Sequence, residues 1–321
     1  MPASTLRDQL HRDGFVVIRS LLPAPQVAPL RAAAAHAAAL ARSGGWPHVR
    51  TVGKQFPPWD PAEAATRGIW GVQGLNDPAL HALLPDPRDR GALLRAYFGD
   101  EVLGVAAELM ACDPNRDLVM ELHNMLVAPP VDFALRWHRD DIPPEATAEE
   151  EEERLGVRRA DSEREQWHTQ WNLALCDGDE SLIVVPGSHR RARTEAERGA
   201  DPLAPSLPGQ LVVRLGPGDA VFYDNNILHC GRYVAASARE RLSLHGTVGR
   251  AGAGGKSRSD RARNVLQHGV GAWVDRCDFE ALGQGEEEGE GERLRKRAEE
   301  MRARLVQLGR ESGDVGYSLT G

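Results

Sequence analysis

Residues Trp137-His138-Arg139-Asp140 set an imidazole and a carboxylate two positions apart. Along an extended chain, side chains two apart point the same way. His138 and Asp140 then face one pocket, and Trp137 and Arg139 turn to the other side. An imidazole nitrogen and a carboxylate oxygen so placed can grip one face of a metal ion. A third ligand from a distant strand would complete the site. Such triplets arise by chance in many proteins, so the case depends on what accompanies this one.

The best third ligand is His229, which follows a turn and strand at residues 218–223. Two histidines and one carboxylate with open positions are the arrangement of non-haem Fe(II) oxygenases. Downstream, Arg239-Glu240-Arg241-Leu242-Ser243-Leu244-His245 alternates in polarity. Arg239, Arg241, Ser243 and His245 can look into one cavity while the leucines pack behind them. A guanidinium in a pocket makes sense if it grips a carboxylate through two parallel hydrogen bonds. A metal triad with such an arginine is what 2-oxoglutarate needs. The keto acid chelates the open metal positions, and its far carboxylate requires a fixed cation.

The elements that must position these groups read as mainly β with flanking helices. Short strands are expected at residues 15–18, 118–127, 137–140, 167–175, 181–185, 211–215, 220–223 and 241–245, separated by Gly/Pro turns. That pattern suggests a sandwich or jelly roll. No helical crossovers separate the later strands, which disfavours parallel α/β. Helices are expected at residues 5–11, 23–42 and 88–110, covering the sheet, and at 292–308, where Leu294, Met301, Leu305 and Leu308 form a stripe. This stripe reads as a docking face on the same domain or on a partner, which allows a homo-oligomer through the C-terminal helix. Residues 46–86 read as loop and 251–259 as a flexible Gly/Ser stretch. The segment 143–164, with its run of glutamates, reads as a solvated face, or alternatively as a lid over the site.

With 321 residues and 41% hydrophobic content, a sizeable core is expected. The net charge of −8 argues against a nucleic-acid groove. The four cysteines form no C-x-x-C pair, so a disulfide framework or Cys-based zinc site is not expected and a reducing, cytoplasmic setting fits. Neither a signal peptide nor a run of membrane-spanning length is read.

The stretches 122–130, 137–140, 184–189 and 218–220 with His229, together with the opening Asp13-Gly14-Phe15-Val16-Val17, resemble the phytanoyl-CoA dioxygenase family of Fe(II)/2-oxoglutarate oxygenases. The resemblance spans roughly residues 8–250. It implies a double-stranded β-helix (jelly-roll, cupin-like) core in a domain at 1–250, with 251–321 as a C-terminal extension. It implies His138, Asp140 and His229 as iron ligands and catalytic residues, with 2-oxoglutarate and O2 as cosubstrates and ascorbate as a stimulant. It implies Arg239 as the 2-oxoglutarate clamp, with Arg241 as the alternative, and Met125, Trp171 and Ser243 as further cosubstrate-pocket residues. Relatives that halogenate lack the carboxylate ligand; the presence of Asp140 implies hydroxylation of a small molecule such as an acyl-CoA, a lipid-like compound or a secondary metabolite. From the residues alone, two other functions stay open. One is a zinc-dependent metallohydrolase, since zinc takes the same ligands. The other is a non-catalytic jelly-roll binding module. His189 reads as a turn residue, His123 and His245 as candidates to orient ligands, and His168 as undecided between substrate contact and exposure. The Arg190-Arg191-Arg193 cluster reads as an exposed turn, with a CoA phosphate as the sharper alternative.

Overall fold

Two antiparallel sheets face each other in the computed structural model, which describes residues 5–157, 165–283 and 289–313. The strands are β1 (Phe15–Ile18), β2 (Val49–Thr51), β3 (Ile69–Val72), β4 (Leu118–Val127), β5 (Phe133–Ala134), β6 (His168–Ala174), β7 (Leu182–Val184), β8 (Leu211–Val212), β9 (Ala220–Tyr223), β10 (His229–Tyr233) and β11 (Leu242–Arg250). A seven-stranded sheet runs β1-β9-β6-β11-β4-β3-β2, and a four-stranded sheet runs β5-β10-β7-β8. All pairings are antiparallel. The fold is the expected jelly roll with flanking helices.

The large sheet is covered on its outer face by helices, so its central strands are buried on both sides. Helix Ala24–Arg42 lies close because its inward residues Ala33, Ala34, Ala37, Ala38 and Ala41 are small and fully buried. The helix expected at 88–110 is two helices, Pro87–Phe98 and Asp100–Met110. Gly99 is extended there (ψ 163°), and a Cβ on it would come within 2.6 Å of the Arg95 carbonyl oxygen, so the chain turns where glycine permits it. From the first of these helices Tyr97 donates its hydroxyl to Thr247 O at 2.8 Å and accepts from Glu121 N at 2.9 Å, pinning the helix to β11 and β4.

Several expectations need correction. The stretch at 46–86 is not all loop: it holds β2, β3 and the helices Glu63–Arg67 and Pro78–His81. Both strands are very short and buried throughout, so they carry no alternation to read. The stretch at 251–259 is not a flexible connector, because helix Gly255–Gln267 begins inside it. For the C-terminal helix Glu290–Glu311 the first of the two expected alternatives holds, docking on its own chain: Leu294, Met301 and Leu305 are buried in the main core and Leu308 packs against it. The apolar stripe is therefore covered within the chain and not left for a second copy. In the 143–164 segment, Thr147 caps helix Ala148–Arg154 through a reciprocal box with Glu150. Its Glu151 is fully buried and paired with Arg193 and Arg198, so this run is not wholly a solvated face. Residues 158–164 of this segment, and residues 284–288, lie outside the described residues. Among the described residues, no helix is long and apolar enough to cross a membrane.

Candidate metal centre

His138 does not belong to a regular strand. It forms an isolated antiparallel bridge with His229 at the head of β10, with His138 N to His229 O at 2.9 Å and His229 N to His138 O at 3.0 Å. Two residues facing each other across such a bridge project their side chains to the same side. The imidazoles accordingly stand with centroids 4.3 Å apart. Asp140 follows two residues on, at a bend held by Asp140 N to Asn225 O at 3.0 Å. Its Oδ1 lies 3.5 Å from His138 Nε2 and 3.9 Å from His229 Nε2. One ligand atom from each of the three residues lies within 4.8 Å of the other two, close enough to share one ion.

The surroundings choose which atoms face that point. His138 Nδ1 bonds Arg136 O at 2.7 Å, and His229 Nδ1 bonds Ile227 O at 2.8 Å. A carbonyl only accepts, so each Nδ1 carries the proton and each Nε2 keeps its lone pair for a metal. Gln170 on β6 donates to Asp140 Oδ2 at 2.7 Å, which leaves Oδ1 for the ion. Burial drives the Asp140 pKa upward, but the His138 hydrogen bond and the charges of His229, His138 and Arg261 outweigh it and hold the carboxyl far below its usual range. Burial pulls His138 down, yet the contact with Asp140 wins and raises it. Burial and the neighbouring His138 lower His229 to about 4. A carboxylate and an unprotonated imidazole are the forms a divalent metal binds.

The three groups open onto a cavity of about 580 Å³ between the sheets. Alternation along β6 and β11 supplies its polar wall: Gln170 and Asn172 from β6, His245 and Thr247 from β11, and Arg241 from the residue just before β11. Leu173, Leu242 and Leu244 face the helices in the main core. Helix Gly255–Gln267 and the residue after it contribute Arg261, Asn264, Val265 and His268, so the C-terminal segment helps to build the cavity.

The structure places Arg239 elsewhere. β11 begins at Leu242, and Arg239 sits before it in an exposed turn, with its side chain on the carbonyl of Gly178. Arg241 is the arginine in the cavity. It is 7% exposed, pairs through Nε with Asp179 at 3.1 Å and lies 4.9 Å over the Tyr233 ring, while its Nη1 is buried without a partner. Ser243 shares its face by alternation and is fully buried, with an unpartnered Oγ. Met125 and Trp171 do not line the cavity. They point to the helix side, because β4 and β6 turn Leu122, Leu126, Gln170 and Asn172 inward instead. Trp171 fills the space above Gly246, where a Cβ would come within 2.1 Å of the indole.

His123 is also on the helix side, bonded to Leu93 O and packed on Tyr97, and burial lowers it to about 3. His245 lines the cavity with Nδ1 2.8 Å from Asn172 Oδ1. His168 neither meets the cavity nor is exposed: its Nε2 lies 2.9 Å from the fully buried Glu121. Arg258 and Arg261 also reach Glu121, and Arg261 stands 3.6 Å from Asp141, beside the metal ligand. His189 packs on Gly14 and bonds His11 O at 3.1 Å, a structural place. Arg191 and Arg193 are taken by Glu197 and Glu151. Arg139 holds the carbonyls of Ser188, Asn226 and Arg191, tying three loop segments beneath the site.

Sequence reasoning missed Gln170, Asp141, Arg261 and Arg50. Only Gln170 carried a signal, since Gln170 and Asn172 alternate with Trp171 and Leu173.

No family model matches the chain, and no curated protein matches it. Solved structures do. AviO1 from Streptomyces viridochromogenes Tue57 is similar at a TM-score of 0.52 and 18% identity, over 79% of this chain and 99% of that one. EctD from S. alaskensis, solved with 2-oxoglutarate and 5-hydroxyectoine, is similar at 0.50 and 17% identity, over 77% and 76%. The same enzyme with bound Fe is similar at 0.50 and 18% identity, over 77% and 76%. At these identities the likeness is one of fold.

Proposed function

We propose that this chain is an iron(II)- and 2-oxoglutarate-dependent oxygenase of the phytanoyl-CoA dioxygenase type, hydroxylating an unactivated C–H of a small molecule. One observation carries the reading. Two Nε2 atoms and one carboxylate oxygen converge at a cavity that also holds a buried guanidinium with an unpartnered Nη1. The donor set suits iron(II), leaving one face of the ion open. The orphaned Arg241 nitrogen and the orphaned Ser243 hydroxyl suit the far carboxylate of 2-oxoglutarate, which would satisfy both. A zinc hydrolase has no use for such an arginine.

His138, Asp140 and His229 would hold the iron, and Arg241 with Ser243 would hold the cosubstrate. When bound, iron and 2-oxoglutarate supply the oxidising power for O2-dependent C–H cleavage. The chain's own part is orientation. Gln170 fixes which carboxylate oxygen faces the ion, and two backbone carbonyls fix the imidazole tautomers. Asp179 and Tyr233 hold the arginine in place, and the surrounding walls limit water. EctD, solved with 2-oxoglutarate and with Fe, shows that the fold accommodates both in that protein.

The test is succinate formation from 2-oxoglutarate by the iron-loaded protein, with and without O2. The reading expects O2-dependent succinate that disappears in Asp140→Ala. Equal amounts with and without O2, or unchanged turnover in Asp140→Ala, would overturn it.

A further inference from the structure

Resting on that reading, we propose that Arg50 is a second anion-binding position in the same cavity, and that it recognises a carboxylate on the primary substrate. Arg50 lies on β2 and lines the cavity wall. It is 8% exposed. No carboxylate or carbonyl among the described residues pairs with it, and its Nε is buried without a partner. The other arginines of the cavity are already engaged: Arg139 by backbone carbonyls, Arg261 by Glu121 and Asp141, and Arg241 by Asp179. A buried charge without a counter-charge is costly unless a ligand supplies one.

The site is built. The Arg50 guanidinium lies 5.2 Å over the Trp70 ring, whose Nε1 is fixed on Thr51 O at 2.9 Å. Gly71, opposite Arg50 on β3, leaves room for the arginine stem: a Cβ there would stand 3.3 Å from Arg50 Cβ and Cδ. Trp70 packs on Tyr233 with centroids 5.4 Å apart, and Arg241 covers Tyr233. The two guanidiniums thus bracket an aromatic pair and form separate positions. 2-Oxoglutarate has two carboxylates, one for the metal and one for Arg241. Arg50 is left over, and its charge calls for an anion from another molecule. A monoanion fits better than a phosphate dianion, because Asp140, Asp141 and Glu145 line the same cavity.

The experiment is calorimetry of butanoate, octanoate and phenylacetate, each beside its neutral amide. It uses protein loaded with iron(II) and 2-oxoglutarate without oxygen, and again metal-free protein. The wild type should bind at least one acid about tenfold or more tightly than its amide. Arg50→Met should erase that preference while leaving 2-oxoglutarate affinity within about twofold, and Arg50→Lys, which keeps the charge, should retain part of it. Two results overturn the proposal: no acid is preferred over its amide by the wild type, or Arg50→Met weakens 2-oxoglutarate as much as Arg241→Met does. Failure of 2-oxoglutarate to bind the wild type would sink the cosubstrate reading instead, and the acid–amide comparison in metal-free protein would still decide Arg50.

Discussion

Removing the guanidinium at position 241 should cost cosubstrate binding, and removing the one at 239 should not. Arg241 is 7% exposed and its Nε is held by Asp179 at 3.1 Å, leaving Nη1 free to meet a carboxylate. Two charge-assisted hydrogen bonds in so dry a place are worth about 3 kcal/mol, or roughly a hundredfold in affinity. Arg241→Met alone would also strand Asp179 in the interior, at about 3–5 kcal/mol of fold stability. The informative variant therefore pairs Arg241→Met with Asp179→Asn, which removes both charges and keeps an acceptor for Ser181 N. Arg239 is exposed and its side chain bonds the Gly178 carbonyl, away from the cavity, so Arg239→Met should change affinity by less than about twofold. The assay is titration of 2-oxoglutarate into iron-loaded protein without oxygen, by calorimetry, with melting curves alongside. A large loss in Arg239→Met, or none in the paired variant while it stays folded, would refute the assignment.

Other predictions concern the supports of the site. Gln170→Leu frees Asp140 Oδ2 to rotate and should weaken iron binding about 10–100-fold, read by metal titration at unchanged melting temperature. Gly246→Ala drives a methyl into Trp171, at 2.1 Å from the ring, and should destabilise the fold by about 1–3 kcal/mol in denaturant unfolding. His123 is held neutral, with its pKa lowered to about 3. Below its unfolded value near 6.5, the unfolded chain takes up a proton that the folded chain refuses. Stability should therefore fall with pH by about 1.4 kcal/mol per unit from this residue alone, down to its folded value. His123→Gln should flatten that slope between pH 6 and pH 4, roughly the window those values bracket.

How much the sequence disclosed depended on whether a residue's place was set locally. His138 and Asp140 are two apart, and the alternation read at 239–245 separates cavity side from core side without knowledge of the fold. The same alternation failed at its first residue, because the strand starts at Leu242 and the turn before it carries Arg239 away. Met125 went to the wrong face because β4, buried on both sides, shows no clean polar alternation to orient it, whereas on β6 the alternation of Gln170 and Asn172 with Trp171 and Leu173 already puts Trp171 on the helix side. Arg261 and Arg50 come from segments with no readable period, and only tertiary packing brings them to the cavity. The Gly255–Gln267 helix was hidden for a related reason: its stability comes from Ala262, Val265 and Leu266 packing into the core rather than from composition.

The most direct measurement is a crystal structure of the protein loaded, without oxygen, with iron(II) and 2-oxoglutarate. The account predicts one iron bonded to His138 Nε2, His229 Nε2 and Asp140 Oδ1 at about 2.0–2.2 Å, with the far carboxylate of the keto acid on Arg241 and Ser243. Iron held by other residues, or a keto acid whose far carboxylate lies away from Arg241, would contradict it.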